Sequence, residues 1–154
     1  MKIFIMRHGE AEHFALSDAQ RALTERGQSD SIAVARACNE QGTKSFDRVF
    51  VSSYLRAQQT WQAIAPYFDA KQVDTSDDIT PYGDSEQVYE FLKAVSEIDD
   101  IDSILVVSHL PLVGYLTAEF VADLAPPMFP TSGLTYIEFD AIGEQGNIVW
   151  SLHP

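Results

Sequence analysis

The chain has 154 residues, 45% of them hydrophobic and 21% charged, which suits one compact domain over residues 1–154 and speaks against a disordered tail. Its 23 acidic residues against 10 basic ones leave a net charge of −13, so nucleic acid is not an expected partner. A single cysteine, Cys38, rules out an intrachain disulfide framework and a cysteine-rich zinc site, and it suits a reducing, cytoplasmic setting.

In chain order, Lys2 to Met6 is a short run of Ile, Phe and Met that reads as a buried strand. Arg7 stops it, which leaves it too short for the core of a signal peptide, and it opens into Arg7-His8-Gly9-Glu10. Thr24 is placed to cap a helix through Ile32, Ala33, Ala35, Arg36 and Ala37, with Gly42 to end it and Gly27 as a weak spot in its first turns. Arg48 to Ser52, β-branched and aromatic, predicts a second strand; Ser53 is placed to cap a helix from Tyr54 towards Ile64 that Pro66 closes. Asp69 to Tyr82 carries no regular pattern.

Asp84 and Ser85 open a third helix, in which Val88, Phe91, Leu92 and Val95 share a face. Ser103 to Ser108 is the third clear strand, and Pro111 fits the first turn of the helix behind it. The apolar stretch from Ile104 to Ala118 is interrupted by His109 and Pro111 and followed by Glu119 and Asp123, so no membrane span is expected. Pro126-Pro127-Met128 is a stiff loop. Leu134 to Asp140, a turn over Gly143 to Gly146, and Ile148 to Leu152 read as a hairpin.

Strands alternating with helices imply an α/β three-layer sandwich: a mostly parallel central sheet, helices on both faces and the antiparallel C-terminal hairpin at the edge. In such sheets ligands gather beyond the carboxyl ends of the strands. There the chain carries Arg7, His8, Arg56 and His109. Guanidinium groups bind phosphoryl oxygens bidentately and a neutral imidazole is a nucleophile, so the four together describe a phosphate pocket.

Each residue also has a structural reading. His109 could cap the next helix or fill a polar niche, Asp18 and Arg21 could be solvated loop charges, and Cys38 a small core thiol. Arg56 stands on the unfavourable side of a helix macrodipole, a cost that a bound anion would offset. His8, His13 and His109, with Glu10 and Glu12, show no recognised ligand spacing, so no catalytic metal is expected.

Taken jointly, Ile5-Met6-Arg7-His8-Gly9-Glu10, then Ser52-Ser53-Tyr54-Leu55-Arg56-Ala57-Gln58-Gln59-Thr60, then Val107-Ser108-His109 resemble the histidine phosphatase superfamily, the clan of phosphoglycerate-mutase-like enzymes. The stretch Ser108 to Leu116, with Pro126 to Phe129 and Thr131-Ser132 downstream, is similar to its small SixA-type protein phosphohistidine phosphatases. The resemblance implies that His8 is the nucleophile that becomes phosphorylated. Arg7, Arg56 and His109 would bind the phosphoryl oxygens, with His109 also stabilising transition-state charge. Arg21 and Asp18 would border the substrate pocket, and neither metal nor organic cofactor would be needed. The neighbouring guanidinium groups are expected to lower the pKa of His8.

Larger relatives carry a Glu general acid in an insert after the second helix. This chain has Ile79-Thr80-Pro81-Tyr82-Gly83 there, with Asp77, Asp78 and Asp84 as the nearby carboxylates. A protonated imidazole leaves a phosphoramidate with little help, whereas an alkoxide needs an acid. Short connections also leave little chain for a lid that could bury a small metabolite. The expected function is therefore a protein phosphohistidine phosphatase acting on a phosphorelay or sugar-phosphotransferase carrier domain. A small-molecule phosphomonoester phosphatase or mutase on the same fold is the alternative, followed by a non-catalytic phosphate-binding module.

Overall fold

The structure is a computed structural model that describes residues 1–98 and 100–154. In chain order its elements are β1 (Lys2–Arg7), α1 (Glu25–Glu40), β2 (Ser45–Ser52), α2 (Leu55–Ile64), β3 (Asp69–Ser76), α3 (Ser85–Ile98), β4 (Ser103–Ser108), α4 (Leu112–Phe120), β5 (Leu134–Asp140) and β6 (Gln145–Leu152). The six strands form one sheet in the order β3-β2-β4-β1-β5-β6. β3, β2, β4 and β1 run parallel, while β5 and β6 are antiparallel additions beside β1. This is the expected α/β sandwich with its C-terminal hairpin at the edge.

Side chains alternate across each strand, and both sides are covered. Ile3, Ile5, Phe50, Ile104 and Val106 pack on one face against Val88 and Leu92 of α3 and Leu112, Val113 and Leu116 of α4. Phe4, Met6, Val49, Val51, Leu105 and Val107 pack on the other against Val34, Ala35 and Cys38 of α1 and Ala57 and Ile64 of α2. β4 is buried along its whole length, which is why it reads as an unbroken apolar run.

Thr24 caps α1 as expected, its hydroxyl accepting from the Gly27 amide at 2.9 Å. Gly27 is a contact point: a Cβ there would lie 2.2 Å from the Glu10 carbonyl oxygen, so the helix can rest on the loop behind β1 only with glycine in place.

Three expectations need correction. The irregular stretch expected from Asp69 to Tyr82 contains a full strand, Asp69–Ser76, at the sheet edge, paired with β2 from Ser45↔Asp69 to Ser52↔Ser76. It draws its order from backbone pairing and needs no apolar face, and Val73 is its one large aliphatic residue. Ser53 does not cap α2; Tyr54 occupies that position, without a side-chain cap bond. Pro111 is likewise the residue before α4 and lies outside its first turn. Boundaries also move outwards, since β2 starts at Ser45 and β6 at Gln145. Among the described residues no helix is long and apolar enough to cross a membrane.

Candidate active site

β1, β2 and β4 end at the same edge of the sheet, at Arg7, Ser52 and Ser108. Helix α1 leaves β1 towards one face and α4 leaves β4 towards the other, which opens a crevice at the strand ends. All six candidate site residues of the sequence meet there: Arg7, His8, Asp18, Arg21, Arg56 and His109.

His8 follows β1, and its backbone is pinned from three directions. Its amide donates to Ser108 O at 3.0 Å, its carbonyl accepts from the Ser132 amide at 3.0 Å, and the next amide, Gly9 N, donates to Thr60 Oγ1 at 3.0 Å. The imidazole Nδ1 lies 2.7 Å from Gly9 O. A carbonyl oxygen only accepts, so Nδ1 carries the proton and Nε2 keeps its lone pair. Burial, more than the nearby guanidinium groups of Arg56, Arg7 and Arg21, pushes the His8 pKa down to about 4, against a raising contribution from the Gly9 carbonyl. The expected direction holds, but the main cause is desolvation, with the arginines adding to it.

His109 follows β4 and is fully buried, its ring 5.0 Å from that of His8. Its Nε2 lies 2.7 Å from Ser52 Oγ, and Ser52 Oγ also accepts from the Tyr54 amide at 3.3 Å. When the Ser52 hydroxyl donates to Nε2, the proton of the neutral His109 ring sits on Nδ1. Burial and the positive neighbours hold this imidazole neutral, down to about 2.

Arg56 sits in the first turn of α2, buried, and donates from Nη1 to Asp18 O at 2.7 Å, from Nη2 to Asp18 Oδ2 at 3.2 Å and from Nε to His8 Nε2 at 3.3 Å. Its guanidinium also lies over the Tyr54 ring, 5.1 Å from the centroid. Arg21 binds the other Asp18 oxygen at 3.0 Å and Glu12 O at 2.7 Å. These contacts hold the Asp18 carboxyl below its ordinary range, Arg21 contributing most, so it is an anion that orients both arginines and not a proton donor. Arg7 donates from Nη1 to Phe129 O at 2.9 Å.

Arg7 Nε, a donor, and His109 Nδ1, a donor in the tautomer set by a Ser52 proton on Nε2, are buried with no hydrogen-bond partner among the described residues. Leaving such a group unpaired costs about 1–3 kcal/mol, so two of them converging beside two arginines and one carboxylate mark an anion site. A phosphoryl group, with three acceptor oxygens, fits that donor set.

The other carboxylates nearby are either hydrogen-bonded elsewhere or exposed to solvent. Asp84 Oδ1 accepts from the amides of Glu86 and Gln87 at 3.0 and 3.2 Å, capping α3, and Asp77 and Asp78 stand exposed in a turn. Glu10 takes a hydrogen bond from Thr24, and Glu12 and His13 are exposed. Among the described residues no group of three His, Cys, Asp or Glu side chains could hold a metal ion. Thr60, Ser52 and Ser132 hold the site together; the sequence motifs contain all three but give them no role. Thr60 lies one helical turn after Arg56 and donates to its carbonyl at 2.7 Å, a spacing visible in the sequence.

The two depressed histidines carry a pH prediction. Folded His8 refuses a proton until about pH 4, whereas the unfolded chain takes one up near the ordinary value of 6.5. The unfolded state binds more protons in that window, so stability is present above pH 6.5 and falls as pH drops towards 4. Urea midpoints measured at intervals across the window should decline steadily. His8→Asn should reduce the slope by about 1.4 kcal/mol per pH unit, one proton's worth.

The chain matches the model of the histidine phosphatase superfamily, branch 1, over residues 3–88. It is 38% identical over 155 residues to "Phosphohistidine phosphatase SixA" of Escherichia coli, covering 100% of this chain and 94% of that one. It is 35% identical over 147 residues to "Phosphohistidine phosphatase SixA homolog" of Haemophilus influenzae, covering 91% and 89%. A solved structure of the protein histidine phosphatase SixA complexed with tungstate superposes with a TM-score of 0.93 at 37% identity, covering 100% of this chain and 97% of that one.

Proposed function

Since the chain belongs to the histidine phosphatase superfamily, we propose that it is a protein phosphohistidine phosphatase that works through a phosphorylated His8. The observation that carries this reading is the pairing of His8, neutral and held through Nδ1, with the buried donors Arg7, Arg56 and His109. The similarity to phosphohistidine phosphatases over the whole chain supports it.

In the first step His8 Nε2 attacks phosphorus and the phosphorus–nitrogen bond to the substrate imidazole breaks in line with it. Arg7 and Arg56 neutralise the equatorial oxygens, and His109 donates from Nδ1 to one of them. Arg56 exchanges its contact with His8 Nε2 for a phosphoryl oxygen, and the proton on His8 Nδ1 stays directed at the Gly9 carbonyl. The substrate imidazole leaves as a neutral ring because its second nitrogen is already protonated. Water then attacks phospho-His8, releasing inorganic phosphate and returning the neutral imidazole. No step requires a metal, since the guanidinium groups supply the positive charge.

Asp18 is held as an anion and Asp84 is engaged as a helix cap, so neither is disposed to protonate a leaving alkoxide. This favours phosphoramidates over alkyl phosphoesters. Asp18→Asn, Asp78→Asn and Asp84→Asn should each lower phosphohistidine turnover by less than the roughly hundredfold that loss of a general acid costs. A larger drop at one of them, with folding intact, would bring the phosphoester reading forward.

The substrate is a histidine-phosphorylated carrier, either a phosphorelay domain or a sugar-phosphotransferase protein, in the cytoplasm, where the one buried thiol of Cys38 is at home. The test is to incubate the protein, in the presence of a chelator, with a panel of labelled phosphohistidine carriers and with sugar phosphates. Rapid release of phosphate from at least one carrier and slow release from sugar phosphates is the expected result. The reverse order of rates would overturn the reading.

A further inference from the structure

Four large apolar side chains on the connections that border the crevice are almost fully exposed: Phe14, Leu16, Tyr82 and Met128, between 81% and 96% open to solvent. They come from three separate connections, each tied to the site by hydrogen bonds. The loop with Phe14 and Leu16 is held through Asp18 by Arg56, the loop with Met128 through Phe129 O by Arg7, and the turn before Tyr82 through Ile79 O by Ser108 Oγ at 2.7 Å. Among the described residues only Ile98 and Ile142 are similarly exposed, and both lie at the opposite end of the sheet, before β4 and after β5. Single exposed apolar residues are ordinary, but four on the connections that border one catalytic crevice are a surface.

We propose that Phe14, Leu16, Tyr82 and Met128 form the docking rim for the carrier protein, covering apolar side chains that surround its phosphohistidine. The proposal rests on the function inferred above. Charge gives the second feature of the partner. Glu12, Asp77, Asp78 and Asp84 stand exposed on the same connections, while Arg7, Arg56 and Arg21 are turned to the crevice or to Asp18. The complementary surface is therefore an apolar patch with Lys or Arg at its edge and the phosphoryl group at its centre.

A rim that binds only proteins can be separated from the chemistry beneath it. The double variants Phe14→Ser with Leu16→Ser, and Tyr82→Ser with Met128→Ser, are to be assayed on a phosphohistidine carrier protein and on free phosphoramidate. Each pair should lose roughly tenfold or more in kcat/KM on the carrier, expressed in KM, and keep its rate on phosphoramidate. Added salt should raise KM for the carrier in the parent protein. Equal losses on both substrates, no loss on the carrier, or a KM that falls with salt would overturn the docking proposal and leave the phosphatase reading standing. Turnover of phosphoramidate without turnover of any phosphohistidine protein would overturn both.

Discussion

His8→Ala should lower phosphohistidine turnover by about four orders of magnitude or more, because it removes the atom to which the phosphoryl group is transferred. His8 is the imidazole whose Nε2 lone pair is turned into the crevice, since its Nδ1 is committed to Gly9 O and Nε2 accepts only the 3.3 Å contact from Arg56, while His109 Nε2 faces the Ser52 hydroxyl. The matching experiment is to quench the parent enzyme with labelled substrate and map the phosphoenzyme, which should be acid-labile, base-stable and located on His8. Label on His109 would reverse the two roles. The variant should remain folded, as the backbone bonds of His8 and Gly9 to Ser108, Ser132 and Thr60 do not involve the imidazole.

Arg56→Ala is expected to reduce kcat by about two to three orders of magnitude, the effect of losing a preorganised donor to developing negative charge. Lysine should restore little of it. A guanidinium at this position reaches Asp18 O, Asp18 Oδ2 and His8 Nε2 at once and lies over the Tyr54 ring, a fork that a single ammonium cannot reproduce. Single-turnover measurements should place the loss in phosphorylation of His8. If Arg56→Lys retained most of the parent rate, only the charge and not the geometry would matter.

The parts of the molecule legible in the sequence are those in which composition and structure have a single cause. Ile104 to Val107 must be apolar because both faces of β4 are covered, and Arg7, His8 and His109 stand out because parallel strands deliver their C-terminal residues and the next ones in the chain to one edge. Strand β3 is hidden for the opposite reason. Asp69-Ala70-Lys71-Gln72 has no apolar face to bury, and its order comes from hydrogen bonds to β2 that leave no mark on side-chain pattern. Gly27 looks like a weakness in the sequence because its benefit lies in a contact with Glu10, well outside any local window around the helix. The tie between His109 and Ser52 is equally out of reach, since it joins the ends of two strands that are far apart in the chain.

The three backbone anchors around His8 have a consequence for how the energy of the reaction is spread over the life of the molecule. A nucleophile on a mobile loop must be ordered again in every catalytic cycle, and that entropy is subtracted from the rate each time. Here the bonds to Ser108, Ser132 and Thr60 form once, when the sheet assembles, and persist from one turnover to the next. The search for an attacking geometry is thereby completed during folding, and each encounter has only the incoming partner left to orient.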